Sequence, residues 1–247
     1  MAERTVLPGG KPMIQLVKSE RDEPVPQGAS VSIGERFNRF IQQHRKPIVL
    51  GALGILVLLV GFIAAVSIRD GLHTRSLAQL ADFNRRYEAI RIDLNEPAKA
   101  DEVQALLEEL SAFAAKQRGY VGARAYSLVA SIHGDKKAWE EAEKAWITAA
   151  QRGAKTYLGP VSLYNAAVAA EEGGTISRAI DLYRQSAAYK DTFPAAPHAQ
   201  FSLGRLLEGQ NNPEAALEAY QALLNTWPND TVWTNLARSR IIFLKSR

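Results

Sequence analysis

Hydrophobic positions are spread very unevenly along this 247-residue chain. From Ile48 to Ile68 there are 21 consecutive residues without a charge, closed at once by Arg69 and Asp70. An α-helix rises about 1.5 Å per residue, so about 20 apolar residues cross the roughly 30 Å hydrocarbon core of a bilayer. A core helix of a soluble protein keeps a polar face over such a length, and this run keeps none. It reads as a transmembrane helix over 48–68. The competing reading is a signal peptide cleaved near Ala65-Val66-Ser67. Against it stand 47 preceding residues and a run longer than the roughly 7–15 residues of a signal core.

Before the span the pattern changes twice. Residues 1–33 mix Pro8, Pro12, Pro24 and Pro26 with glycines and charges, too little apolar surface to offset backbone entropy, so a disordered arm is expected. Over 34–47 the chain turns amphipathic: Phe37, Phe40 and Ile41 stand at i, i+3, i+4 with Arg36 and Arg39 beside them. That spacing predicts either a helical extension of the span or a short helix at the membrane interface. A docking peptide for a cytosolic protein is the alternative.

After the span nearly every segment has a helical period. Leu72–Leu94 reads as one long helix with Leu77, Leu80, Ala81, Tyr87, Ile90 and Leu94 inward, ended by Asn95-Glu96-Pro97. A second helix is expected from about Lys99 to Gln117, stopped by Gly119. These two make 69–122 a long helix plus a degenerate hairpin.

An internal repeat organises the rest. Ala142, Ala179 and Ala216 are 37 residues apart; four positions on stand Trp146, Tyr183 and Tyr220, and twelve positions before the alanines stand Ala130, Ala167 and Gly204. A fixed period of this size with two helices per unit marks an α-solenoid. The small residues let two helix backbones approach, and the aromatic fills the space beside the crossing.

The pattern resembles the tetratricopeptide repeat: a small residue, another twelve on, an aromatic four later and a closing proline. The third unit fits best, with Leu203-Gly204, Ala216, Tyr220 and Pro228; the second carries Asp191 in the proline slot and the first also lacks the proline. The period exceeds the usual one by three residues, so a longer second helix or a longer turn between repeats is expected. Three such repeats cover 123–228, and 229–247 with Trp233–Leu244 reads as the capping helix that a solenoid end requires. The fold class is all-α: a single transmembrane helix followed by a solenoid of this type.

Charge excludes one class of partner. The sequence pI is about 9.3, yet residues 69–247 hold 22 Lys/Arg against 21 Asp/Glu. A domain so nearly neutral has no footprint for a phosphate backbone, and nucleic acid is not expected. The basic excess sits before the span, where Arg36, Arg39, Arg45 and Lys46 outnumber Arg69 and Arg75 after it. That asymmetry places the N-terminal arm in the cytoplasm and the C-terminal domain outside it.

Catalytic chemistry finds no foothold. The chain has no cysteine, its four histidines (His44, His73, His133, His198) are scattered, and neither HExxH nor GxSxG occurs. Gly153-Ala154-Lys155-Thr156 lacks the glycine and the strand that a phosphate loop needs. Glu140-Glu141 and Glu171-Glu172 read as solvated helix faces, and Trp139 and Trp146 as core. No catalytic residue, cofactor, metal or small-molecule substrate is expected.

The order of parts, with Leu107-Glu108-Glu109-Leu110-Ser111-Ala112-Phe113 and then Tyr120-Val121-Gly122-Ala123-Arg124-Ala125-Tyr126, resembles the YfgM-type ancillary subunits of the bacterial SecYEG translocon. The resemblance implies a domain held on the periplasmic side of the inner membrane and partners among translocon subunits and the membrane-anchored chaperone PpiD. Two other readings stay open: a component of a larger envelope assembly, such as a flagellar collar or division machinery, and a regulatory subunit of a separate enzyme. From the tetratricopeptide resemblance, the concave wall lies three before and one after each small position of the first helix. Those positions are Ser127 and Ser131, Tyr164 and Val168, Phe201 and Arg205, which form the expected protein-binding surface. Their chemistry suits an apolar segment or an amphipathic helix.

Overall fold

The computed structural model describes residues 33–94 and 96–246, so the expectation for the N-terminal arm lies, but for its last residue, outside them. The chain divides into two units, Met1–Ile63 and Ala64–Arg247. Every regular element among the described residues is helical.

In the first unit, α1 covers Ile33–Gln43 and α2, Arg45–Ile90, begins after a single turn residue, His44. The break has a local cause. Pro47 has no N–H to give to the carbonyl of Gln43, where an unbroken helix would place that bond. The neighbouring bonds survive: the His44 N–H reaches the Phe40 carbonyl at 3.0 Å and the Ile48 N–H reaches that of His44 at 2.9 Å. The 48–68 run lies wholly within α2, long and apolar enough to cross a membrane, with none of its most apolar stretch buried.

In the second unit α2 buries one stripe, Leu80, Tyr87 and Ile90, and Leu94 follows it into the core. Leu77 and Ala81, expected inward, are exposed. They line a cleft of about 420 Å³ with Tyr120 and Arg124, so α4 does not cover them. The long helix ends at Ile90, and a 3-10 turn, Pro97–Lys99, leads into α3, Ala100–Lys116. Gly119 does not stop that helix. Gln117 and Arg118 are already extended, and Gly119 opens the next helix with φ +58°.

Seven helices follow in three hairpins and a cap: α4 (Gly119–Asp135) with α5 (Trp139–Arg152), α6 (Leu158–Glu172) with α7 (Ile176–Ala187), α8 (Ala196–Gly209) with α9 (Pro213–Thr226), and α10 (Thr231–Lys245). The three turns inside the hairpins are built alike. Lys137, Gly174 and Asn211 all have positive φ (59°, 77° and 56°), again 37 residues apart. The residue after each returns its N–H five positions back, Ala138 to His133, Thr175 to Ala170 and Asn212 to Leu207, at 2.8, 2.8 and 3.1 Å. This is the Schellman arrangement, which satisfies the last carbonyls of one helix while reversing the chain into the next. The extra length of the repeat falls in the turns between hairpins, above all in the eight residues 188–195 joining α7 to α8.

Small residues mark the helix crossings. Ala130, Ala142, Ala167, Ala179 and Ala216 are at most 1% exposed, and Tyr220 is fully buried beside Gly204. Trp146 packs against both the core under α2–α5 and the core under α6–α9, joining the first hairpin to the second. The first helices of the first two hairpins, α4 and α6, also touch directly, as α8 touches the capping helix α10.

Candidate protein-binding face

The first helices of the hairpins, α4, α6 and α8, carry all six expected residues, and α8 and α10 add two that the 37-residue register does not reveal. At the α4 end, Ser127 is 2% exposed and its hydroxyl donates to the Ala123 carbonyl at 2.9 Å, so it offers no surface. The reason is steric: Ser127 lies on the flank of α4 that its neighbours cover. Ser131 is half-buried and donates to the Ser127 carbonyl at 3.0 Å. Both hydroxyls are engaged within their own helix.

On α6 and α8 the aromatics gather. The Tyr164 ring stands edge-on to Tyr183 at 5.5 Å and lies 5.2 Å from His198, whose Nδ1 is 2.8 Å from the Tyr164 hydroxyl. His198 stacks flat on Trp233 of α10, centroids 4.0 Å apart and planes 11° off parallel. Phe201 completes the row, 5.5 Å from both Trp233 and Tyr220. Val168 packs beside this row against the second core. Tyr164, Val168, His198, Phe201 and Trp233 are all half-buried, so each keeps an accessible edge. Burial, reinforced by Arg205, holds the His198 imidazole below its ordinary range, and burial raises the Tyr164 phenol. At neutral pH the row is therefore uncharged.

The charges beside it are matched among themselves. Glu171 accepts from the Tyr183 hydroxyl at 3.1 Å and pairs with Arg205 at 2.7 Å. Glu208 accepts from the Tyr220 hydroxyl at 3.2 Å and from Arg240 Nε at 3.0 Å. In each case the tyrosine comes from the second helix of the same hairpin and the arginine from the helix that starts the next. Asp135 plays a related part, taking the Tyr87 hydroxyl from α2 and pairing at 3.1 Å with Arg91, just past the end of that helix. Burial first, and the carboxylate second, pushes the Tyr220 phenol up to about 12; burial also raises those of Tyr183 and Tyr87.

Glu171 is thus no solvated face residue. Its carboxylate sits under the next helix, with only 23% of the side chain exposed. Arg205 keeps its expected exposed position, but its charge is already committed to Glu171, so a partner's carboxylate would have to compete for it.

His198 and Trp233 escaped the repeat register because they do not follow the 37-residue period. Their spacing is 34 from Tyr164 to His198 and 35 from His198 to Trp233. An aromatic or imidazole at that interval on successive first helices was the available signal.

A two-helix repeat with small residues at its crossings and an uncharged aromatic face defines a protein-interaction solenoid. The tetratricopeptide repeat family matches residues 198–230. A TPR repeat-containing protein of Treponema pallidum (strain Nichols) is 31% identical over 226 residues, covering 84% of this chain and 92% of that protein. The chain belongs to the TPR repeat-containing proteins, which are generally non-catalytic scaffolds for protein partners. Two crystal structures of nearly identical TPR-like repeats from a putative Podosopora anserina kinesin light chain, the second carrying a point substitution, are both 14% identical, with TM-scores of 0.45 and 0.46. They cover 65% of this chain and 86% and 85% of theirs.

Proposed function

We propose that this chain is a membrane-tethered scaffold whose first-helix face captures an apolar segment or amphipathic helix of a protein partner. The observation that carries the reading is the unbroken row Tyr164–His198–Trp233–Phe201. Its rings keep accessible edges while the neighbouring Arg205 and Arg240 are held by their own carboxylates. Aromatic rings with few rotatable bonds make strong anchors for an apolar partner, and a face without an available charge selects against an acidic tail. The 48–68 run supplies the tether. The finer reading, an ancillary subunit on the periplasmic side of the translocon, rests on the order of parts and the resemblance already described.

Photocrosslinking tests both levels without disturbing the packed rings. A photoreactive residue at Ser131, Val168 or Arg205 should give adducts in cells, whereas one at Lys144, whose side chain is 68% exposed on α5, should not. Adducts to translocon subunits or a membrane-anchored periplasmic chaperone support the finer reading. Adducts to envelope-assembly proteins or to a discrete enzyme replace it with one of the alternatives. Crosslinking through Lys144 alone removes the proposed face.

A further inference from the structure

We infer that α1 is a second membrane contact: a helix lying in the headgroup layer of the leaflet the span enters, on anionic lipid. This rests on the membrane-anchored reading of the 48–68 run. Sequence alone left three options for this segment: a continuation of the span, a separate interfacial helix, or a docking peptide for a cytosolic protein. The turn at His44 separates α1 from α2, and Pro47 enforces that break because it cannot donate to Gln43.

At about 100° per residue, Phe37, Phe40 and Ile41 fall within an arc of roughly 100°, while Asn38, Arg39 and Gln42 lie opposite and Arg36 flanks the border. The apolar arc has no protein partner among the described residues: Phe37 is 64% exposed, Phe40 54% and Ile41 38%. His44 extends it, stacking on Phe40 at 4.7 Å. Two observations choose the bilayer as occupant. The helix ends within five residues of the apolar run, so any bilayer holding the span brings α1 to its surface. Arg36, Arg39, Arg45 and Lys46 stand within eleven residues, matching an anionic headgroup layer. Each such cation near a charged leaflet adds to the attraction, and the effect fades within a Debye length of the surface.

The chain has no cysteine, so single nitroxide labels can be placed cleanly on the full-length protein. Purified protein carrying one cysteine at a time, at positions 37 to 42 and at Leu56, would be reconstituted into phosphatidylcholine vesicles with and without phosphatidylglycerol. Collision with a water-soluble nickel chelate is the readout. With phosphatidylglycerol present, labels at 37, 40 and 41 should lose that collision as the Leu56 label does, while those at 38, 39 and 42 keep it. Adding Arg36→Glu and Arg39→Glu should restore collision at 40. If Leu56 is shielded but 37, 40 and 41 collide freely, this inference falls and the anchor stands. If Leu56 collides freely, both fall. Shielding at 37, 40 and 41 that appears only after cell extract is added makes the surface one for a protein and overturns the lipid assignment.

Discussion

Gly204 shows how single positions set the repeat. A Cβ there would lie 2.6, 2.8 and 3.0 Å from Cε1, Cδ1 and Cζ of Tyr220. The ring has nowhere to go, being fully buried and tied through its hydroxyl to Glu208. Gly204→Ala should therefore cost about 1–3 kcal/mol by overpacking. Gly209→Ala, on the same helix with nothing within 4 Å of its added Cβ, should be neutral or stabilising within about 1 kcal/mol. Urea melts of the two variants check this, and equal losses would mean that Tyr220 yields readily. Sequence spacing located Gly204, Tyr164 and Phe201 because packing repeats with the chain's own period. It could not locate the pairing of Arg205 or the stack of His198 on Trp233, which join residues from different hairpins at other intervals. Ser127 was misplaced for the opposite reason: repeat register gives a position along a helix and leaves open how far a neighbour covers it.

The two-helix repeat that follows the apolar run was legible from its 37-residue period, while the exact helix ends were not. What the register did not show is that the turn needs a left-handed residue, supplied by Gly174 in the second hairpin and by Asn211 in the third. Lys137 holds the same conformation in the first, at φ 59°, which costs an L-residue with a Cβ roughly 1–2 kcal/mol. Lys137→Gly should raise stability by about 1 kcal/mol, since glycine adopts this region freely and the cost of its flexibility offsets part of the gain. Lys136→Gly is the control, because Lys136 is already right-handed at φ −81° and should lose up to about 1 kcal/mol. Thermal melts moving in opposite directions would verify the turn; a fall in both would deny it. The exposed Leu77 and Ala81 belong to this scale as well. Helical period picked Leu80, Tyr87 and Ile90 correctly but not how narrow the covered stripe is, since Ala81 beside Leu80 opens onto a cleft.

At the scale of the whole chain the informative quantity is where the charges lie. A net charge of +4 spread evenly would suggest nothing, but beyond the apolar 48–68 run Lys/Arg and Asp/Glu nearly cancel, and the excess collects just before it. Translocation disfavours clusters of Lys and Arg close to a span, which is the basis for proposing that the basic flank faces the cytoplasm. The proposed orientation therefore sends the hairpins to the far side. Introduced cysteines can read it, because the chain supplies no background thiol. In intact bacterial cells a membrane-impermeant maleimide should label Ser246→Cys and miss Asn38→Cys, and permeabilising the inner membrane should expose both. Replacing Arg36, Arg39, Arg45 and Lys46 with neutral residues should weaken the preference, since only Arg69 and Arg75 would then remain near the span. Labelling of Asn38→Cys alone would place the hairpins in the cytoplasm. Partners on the periplasmic side would then be excluded, while the proposal that the aromatic face takes an apolar segment would stand, because nothing in its chemistry depends on the compartment.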